Sequence, residues 1–214
     1  MRIFSALVIL CLATLISSCS FRGIHTRHDL PYVAEQNAFG LPELLLDVYS
    51  PKKVNDAEVL IFIHGGSWNS GHKETYRFFG KRMARRGVVA VIINYPLSPA
   101  YQIQSMVTAS KLAADWTYKN ISEYRGSPEK IFVSGHSAGG HLASVIAVRE
   151  ELFVELGTVS PIKGAVLIDA AGFDMKWFLE QMNYEPGSEF LIPFTDDPEV
   201  WKEVSPIYFL RPGT

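Results

Sequence analysis

The chain has 214 residues, of which 48% are hydrophobic, 20% charged and 12% aromatic. That balance fits one globular domain and excludes disordered, collagenous and disulfide-scaffold chains. With 20 basic and 22 acidic residues the formal net charge is −2, which supplies no global field to gather nucleic acid or an anionic membrane surface.

Met1-Arg2 gives a short positive start, and Ile3 to Ile16 is a mostly apolar run, too short to cross a hydrocarbon layer of about 30 Å as a helix. A secretory signal over residues 1–18 is predicted. Ile16-Ser17-Ser18-Cys19 is similar to the bacterial lipobox, in which small residues precede a cysteine that is acylated and becomes the new N-terminus. On that reading Cys19 anchors the mature, exported protein to a membrane, and Ser20 points to the outer membrane. The alternative is an ordinary cleaved signal with Cys19 incidental. Both cysteines, Cys11 and Cys19, lie in this region, so the remaining chain can form no internal disulfide. Residues 19–40, with His25, His28, Pro31 and Gly40, show no sustained period and are expected to form a tether, leaving 41–214 as the domain.

From residue 41 strand-like and helix-like runs alternate, the order of an α/β fold with a mostly parallel sheet. Leu44 to Tyr49 is a short strand; Val59 to His64 is a continuous apolar run, as in a strand buried on both faces. Thr75 to Arg86 is predicted helical, Val88 to Asn94 a second buried strand, and Met106 to Asn120 a helix whose Ala109, Leu112, Ala113 and Trp116 recur on one face. Lys130 to Ser134 is a third buried strand, Gly139 to Arg149 a helix, and Gly164 to Ile168 a fourth apolar strand. The segment from Phe173 to Glu203 is expected to be a loop. Its Trp177, Phe178, Met182, Tyr184, Phe190, Phe194 and Trp201 either cap a site or seal the helical layer.

Gly135-His136-Ser137-Ala138-Gly139 fits G-x-S-x-G, in which glycines flank a serine because the turn from strand to helix leaves no room for side chains beside it. Ser137 is then a nucleophile presented at the strand's carboxyl end; its plainer reading is a helix-capping serine. His64-Gly65-Gly66-Ser67-Trp68 follows the first buried strand, 73 residues earlier. Glycines there let backbone N–H groups face an oxygen on which negative charge develops. Gly66, Gly65 and Ala138 are the candidate oxyanion donors. His64 is expected to stabilise the loop, and His136 and His141 are poor candidates for a general base.

Four segments together, His64–Lys73 (HGGSW with Gly71 and Lys73), Ile93–Pro99, Asn120–Ala143 and Val204–Leu210, resemble the α/β-hydrolase superfamily. Within it the chain looks like the feruloyl-esterase-like, kynurenine-formamidase-like and prenylcysteine-methylesterase-like carboxylesterases. The resemblance implies a mostly parallel central sheet with helices on both faces, and hydrolysis of a small-molecule carboxylic ester through a serine acyl-enzyme. It implies that Trp68 and Tyr95, with His136, line the pocket, although large aromatics serve equally as core. No cofactor is implied. The six histidines and two cysteines also lack metal-ligand spacing.

Two departures, Ala109 and Ser127 where relatives often carry Asp, affect local hydrogen bonds. A third concerns the triad, which in this fold runs Ser, acid, His along the chain. After Ser137 the sequence holds one histidine, His141, while the acids Asp169, Asp174, Asp196 and Asp197 precede any later strand. The triad acid and histidine are therefore expected to be missing, the fold to lack its last strands and helix, and the fully apolar Gly164–Ile168 strand to be left at a sheet edge, where apolar strands are normally avoided. Three readings follow: an incomplete copy of an esterase, a catalytically inactive lipid-anchored lipoprotein that binds ligands, or a non-functional remnant.

Overall fold

The structure, a computed structural model, describes residues 23–182, 188 and 191–211. The predicted signal and Cys19 lie outside the described residues, as do Tyr184 and Phe190.

Six strands form one sheet: β1 (Ile24–Val33), β2 (Leu44–Pro51), β3 (Ala57–Ile63), β4 (Val89–Ile93), β5 (Gly126–His136) and β6 (Ile162–Ile168), in the spatial order β1-β2-β4-β3-β5-β6. β4, β3, β5 and β6 are mutually parallel, while β2 runs antiparallel to both β1 and β4. The helices are α1 (Arg77–Arg85), α2 (Ile103–Asn120), α3 (Ala138–Val148), α4 (Glu151–Val154), α5 (Met175–Gln181) and α6 (Pro198–Glu203). This is the α/β-hydrolase arrangement implied by the motifs.

The two-residue period of a strand divides the core. Val59, Ile61 and Ile63 of β3 join Val89, Val91 and Ile93 of β4 and Ile131 and Val133 of β5 in the main cluster, roofed by α2 and α3. Phe62, Ala90 and Ile92, the alternate residues, pack with Tyr49 and Ala84 beneath α1. Each Val, Leu or Ile so buried stabilises the fold by roughly 1.5–3 kcal/mol relative to exposure. In α2, the buried Ser110 and Thr117 hydroxyls donate to the carbonyls of Met106 and Ala113, one turn back, at 2.8 and 2.7 Å. Ala109 and Ala113 are wholly buried.

Two expectations are corrected. Residues 24–33 are not tether but the outermost strand β1, paired to β2 from Ile24↔Pro51 to Val33↔Leu44. An edge strand is held by backbone hydrogen bonds and needs no apolar alternation; of its ten residues only Val33 is buried. Its register shifts beside Asp29 (φ 57°) and around Pro31, which further hides the period. The segment 173–203 contains two short helices, each opened by an aspartate: Asp174 accepts from Trp177 N–H at 3.0 Å and Asp197 from Glu199 N–H at 2.9 Å. Most of its described aromatics seal the helical layer. Phe194 is buried and Phe178 and Trp201 pack on the core, whereas Trp177 is 59% exposed. Elsewhere boundaries shift by a few residues; the helix foreseen at 75–86 begins as a 3-10 turn at Lys73–Tyr76.

Among the described residues β6 pairs with β5 alone. Its apolar side chains stand in solvent: Val166, Leu167 and Ile168 are 55%, 37% and 40% exposed.

Candidate active site

β5 ends at His136 and α3 begins at Ala138, so Ser137 alone makes the turn, with φ 51° and ψ −120°. A non-glycine residue there is strained and persists only where its surroundings fix it. Ser137 N–H donates to Ile168 O at the end of β6 (2.9 Å), and Ser137 O accepts from His141 N–H (3.0 Å). The flanking glycines allow the packing. A Cβ on Gly139 would stand 2.1 Å from Ile63 O, and one on Gly135 2.2 Å from Gly139 O. The serine is half-buried at the carboxyl end of the parallel strands, the end of such sheets that holds ligands.

The loop after β3 comes to the same place. A Cβ on Gly65 would lie 2.7 Å from His136 O and 3.2 Å from Ser137 Cβ, so bare backbone passes directly against the serine. Gly66, Ser67 and Trp68 all have positive φ (131°, 49° and 60°). The Gly66 carbonyl accepts from Asn69 N–H, Ser70 N–H and the Ser70 hydroxyl, at 3.1, 3.0 and 2.9 Å, which fixes the orientation of the turn. Ala138 opens α3, where the first N–H groups have no intrahelical acceptor and the helix dipole favours negative charge. Gly65, Gly66, Ala138 and Ser137 are thus brought together.

His64 is 1% exposed, donates through Nδ1 to Gly65 O (2.9 Å) and stacks on Tyr95 at 4.4 Å. The Tyr95 hydroxyl donates to His64 O at 3.1 Å. Burial lowers the His64 pKa to about 4, so the ring is neutral and serves as a pin for the loop. Tyr95 and Trp68, 3% and 4% exposed, both belong to the core. Trp68 packs edge-on against Phe194 (4.8 Å) and His141 (5.6 Å).

No side chain among the described residues is hydrogen-bonded to the Ser137 hydroxyl. His141, fully buried, donates through Nε2 to Val204 O at 2.7 Å, and burial lowers its pKa to about 4. His136 is half-buried and shares a hydrogen bond with the Tyr76 hydroxyl (3.2 Å). Asp169 follows β6 and is exposed.

Sequence reading missed two features near the loop. Tyr76 holds His136. Lys73, 1% exposed, is ion-paired to Asp47 and Asp29, each at 2.6 Å. Asp47, a carboxylate inside the apolar run Leu44–Val48, was the signal for the second.

The BD-FAE family model matches residues 46–214. The isoprenylcysteine alpha-carbonyl methylesterase ICME of Arabidopsis thaliana is 34% identical over 130 residues, covering 57% of this chain and 30% of that protein. The esterase LipQ of Mycobacterium tuberculosis is 28% identical over 208 residues, covering 88% of this chain and 48% of the relative. The chain thus spans between about a third and a half of the length of these relatives. Among solved structures, esterase B of Lactobacillus rhamnosis superposes with a TM-score of 0.69 at 20% identity, over 97% of this chain and 70% of that one. The hyperthermophilic esterase of Pyrobaculum calidifontis gives 0.67 at 25% identity, over 86% and 62%. Matched along most of its length, and with the strand order and serine turn just described, the chain belongs to the BD-FAE family of α/β-hydrolases.

Proposed function

We propose that this chain carries the nucleophile and oxyanion loop of a serine carboxylesterase acting on small-molecule esters. The observation that carries the reading is Ser137, held in a strained turn with the Gly65 backbone directly against it. Ser137 Oγ attacks the ester carbonyl carbon while its proton passes to a base; the bond to the alcohol oxygen breaks and the protonated alcohol leaves. Water then hydrolyses the acyl-serine to the free acid. The N–H groups of Gly66, Gly65 and Ala138 hold the oxyanion, each such donor typically contributing about 10² to 10³ in rate. The esterase names of the relatives agree with this chemistry.

The six histidines are all described, and none is hydrogen-bonded to Ser137 Oγ. We assign the base to none of these histidines. A second reading, an inactive lipoprotein that binds ligands, is favoured by the unpartnered serine hydroxyl. A fluorophosphonate probe followed by peptide mass spectrometry separates the two. One adduct per chain on Ser137, formed slowly for want of a base and lost in Ser137→Ala, supports the esterase, and no adduct even after prolonged exposure supports the binding protein. Turnover of p-nitrophenyl butyrate by residues 1–214 is expected far below 10 s⁻¹, the usual enzyme median; a value near it would overturn the assignment of the base.

The lipobox-like run Ile16–Cys19 supports export and acylation at Cys19. A Cys19→Ala variant is expected in the soluble fraction of a bacterial host, and its retention with the membranes would refute the anchor.

A further inference from the structure

The Lys73 ammonium sits between two carboxylates, 2.6 Å from Asp47 Oδ1 and 2.6 Å from Asp29 Oδ1. Asp47 is wholly buried and also accepts from His28 Nδ1 (2.8 Å), the Tyr49 hydroxyl (3.0 Å) and Asp29 N–H (3.1 Å). Those four donors fill the acceptor sites of a carboxylate. Burial opposes charge on both Lys73 and Asp47, yet the mutual hydrogen bonds win, raising the lysine pKa and lowering the aspartate pKa. An apolar pair of similar size would often stabilise a fold as well as a buried ion pair does, so stability alone does not account for this cluster.

Its position does. Lys73 closes the loop that His64 opens. The Lys73 N–H donates to Asn94 Oδ1 (2.7 Å), Asn94 Nδ2 and His72 Nε2 share a hydrogen bond (2.9 Å), and Asn94 N–H reaches Leu45 O (3.1 Å). The near end of the loop touches this far end: a Cβ on Gly71 would stand 2.3 Å from Gly65 O and 2.5 Å from His64 Nδ1. Any displacement of residues 71–73 therefore presses on the His64 to Gly65 hydrogen bond, and through Gly65 on Ser137.

Building on the acyl-transfer reading of Ser137, we propose that Lys73, clamped by Asp47 and Asp29, is a positioning residue for the oxyanion donors, so that strands β1 and β2 set the geometry of the loop. The clamp acts through Gly65 and Gly66 and touches no substrate.

The test is saturation kinetics of fluorophosphonate labelling at Ser137 in the full chain. Lys73→Met combined with Asp47→Asn removes the charges without leaving one buried alone. The expected result is a cooperative melt, an unchanged half-saturating probe concentration and a maximal labelling rate lower by about 10²-fold, the size of one lost oxyanion donor. Lys73→Arg, which keeps the charge, is expected to restore part of that rate. Wild-type labelling by the folded double variant overturns the clamp as a positioning device. If the double variant does not fold, Asp29→Asn decides. Asp29 is the exposed partner (59%) and leaves Asp47 in place; a several-fold lower rate supports the proposal and an unchanged rate overturns it. Failure of wild-type chain to label at Ser137 is a different result, which overturns the acyl-transfer reading and the clamp with it.

Discussion

Gly139 shows how little freedom single residues have around the serine. A methyl group there meets the Ile63 carbonyl at 2.1 Å and the His64 carbonyl at 2.4 Å, both backbone atoms that cannot swing aside. Gly139→Ala is expected to cost about 3 kcal/mol or more in urea denaturation, at the upper end of overpacking effects. Gly164→Ala, whose methyl group would meet Phe132 at an ordinary 3.4 Å, should change stability by less than about 1 kcal/mol. The two buried histidines predict a pH dependence of stability. In the fold His64 and His141 have pKa values lowered from the usual 6.5 to about 4, so between those values the unfolded chain binds more protons than the folded one. Stability then rises with pH across that window, is complete above about pH 6.5 and is lost as pH falls toward 4, by roughly 3 kcal/mol per ring. Urea midpoints at pH 7 and pH 4.5 check this, and equal midpoints would contradict it. The glycines at 65, 135 and 139 were readable because each falls in a short motif, although the backbone that excludes a side chain at Gly65 and Gly139 belongs to the other motif's segment. The pairing of Lys73 with Asp47 was not readable, since it joins positions 26 residues apart through the tertiary fold.

Elements were legible in proportion to the periodicity of their burial. β3, β4 and β5 announce themselves as apolar runs because both faces are covered, and α2 and α3 because one or more faces meet the sheet. β1 gives no such signal, being an edge strand whose stability comes from the ladder with β2. The helices α5 and α6 are short, but Asp174 and the pair Asp197-Pro198 are ordinary helix openings that a closer reading of caps would have found. β6 poses the opposite case, an apolar strand with the exposure of an edge. Unpaired, apolar edges template association. Residues 1–214 at high concentration are expected to self-associate, and Val166→Lys to reduce that association in sedimentation velocity while leaving the melting temperature within a few degrees. If the wild-type chain sediments as a monomer at all concentrations, the edge is protected by something other than its own residues.

At the scale of the molecule, the sheet has two ends with different occupants. The carboxyl ends of the parallel strands carry Ser137, the glycine loop and the Lys73 cluster. β1 runs in the same direction as β4, because each is antiparallel to β2, so its first residue, Ile24, lies at the opposite end. Only five peptide units separate Cys19 from Ile24, a reach of at most about 18 Å when fully extended. Were Cys19 acylated as proposed, the anchor would enter at the end of the sheet opposite the serine, with the ten-residue β1, about 33 Å, running from one end toward the other. A chain so held would present the serine turn on the side away from its point of attachment.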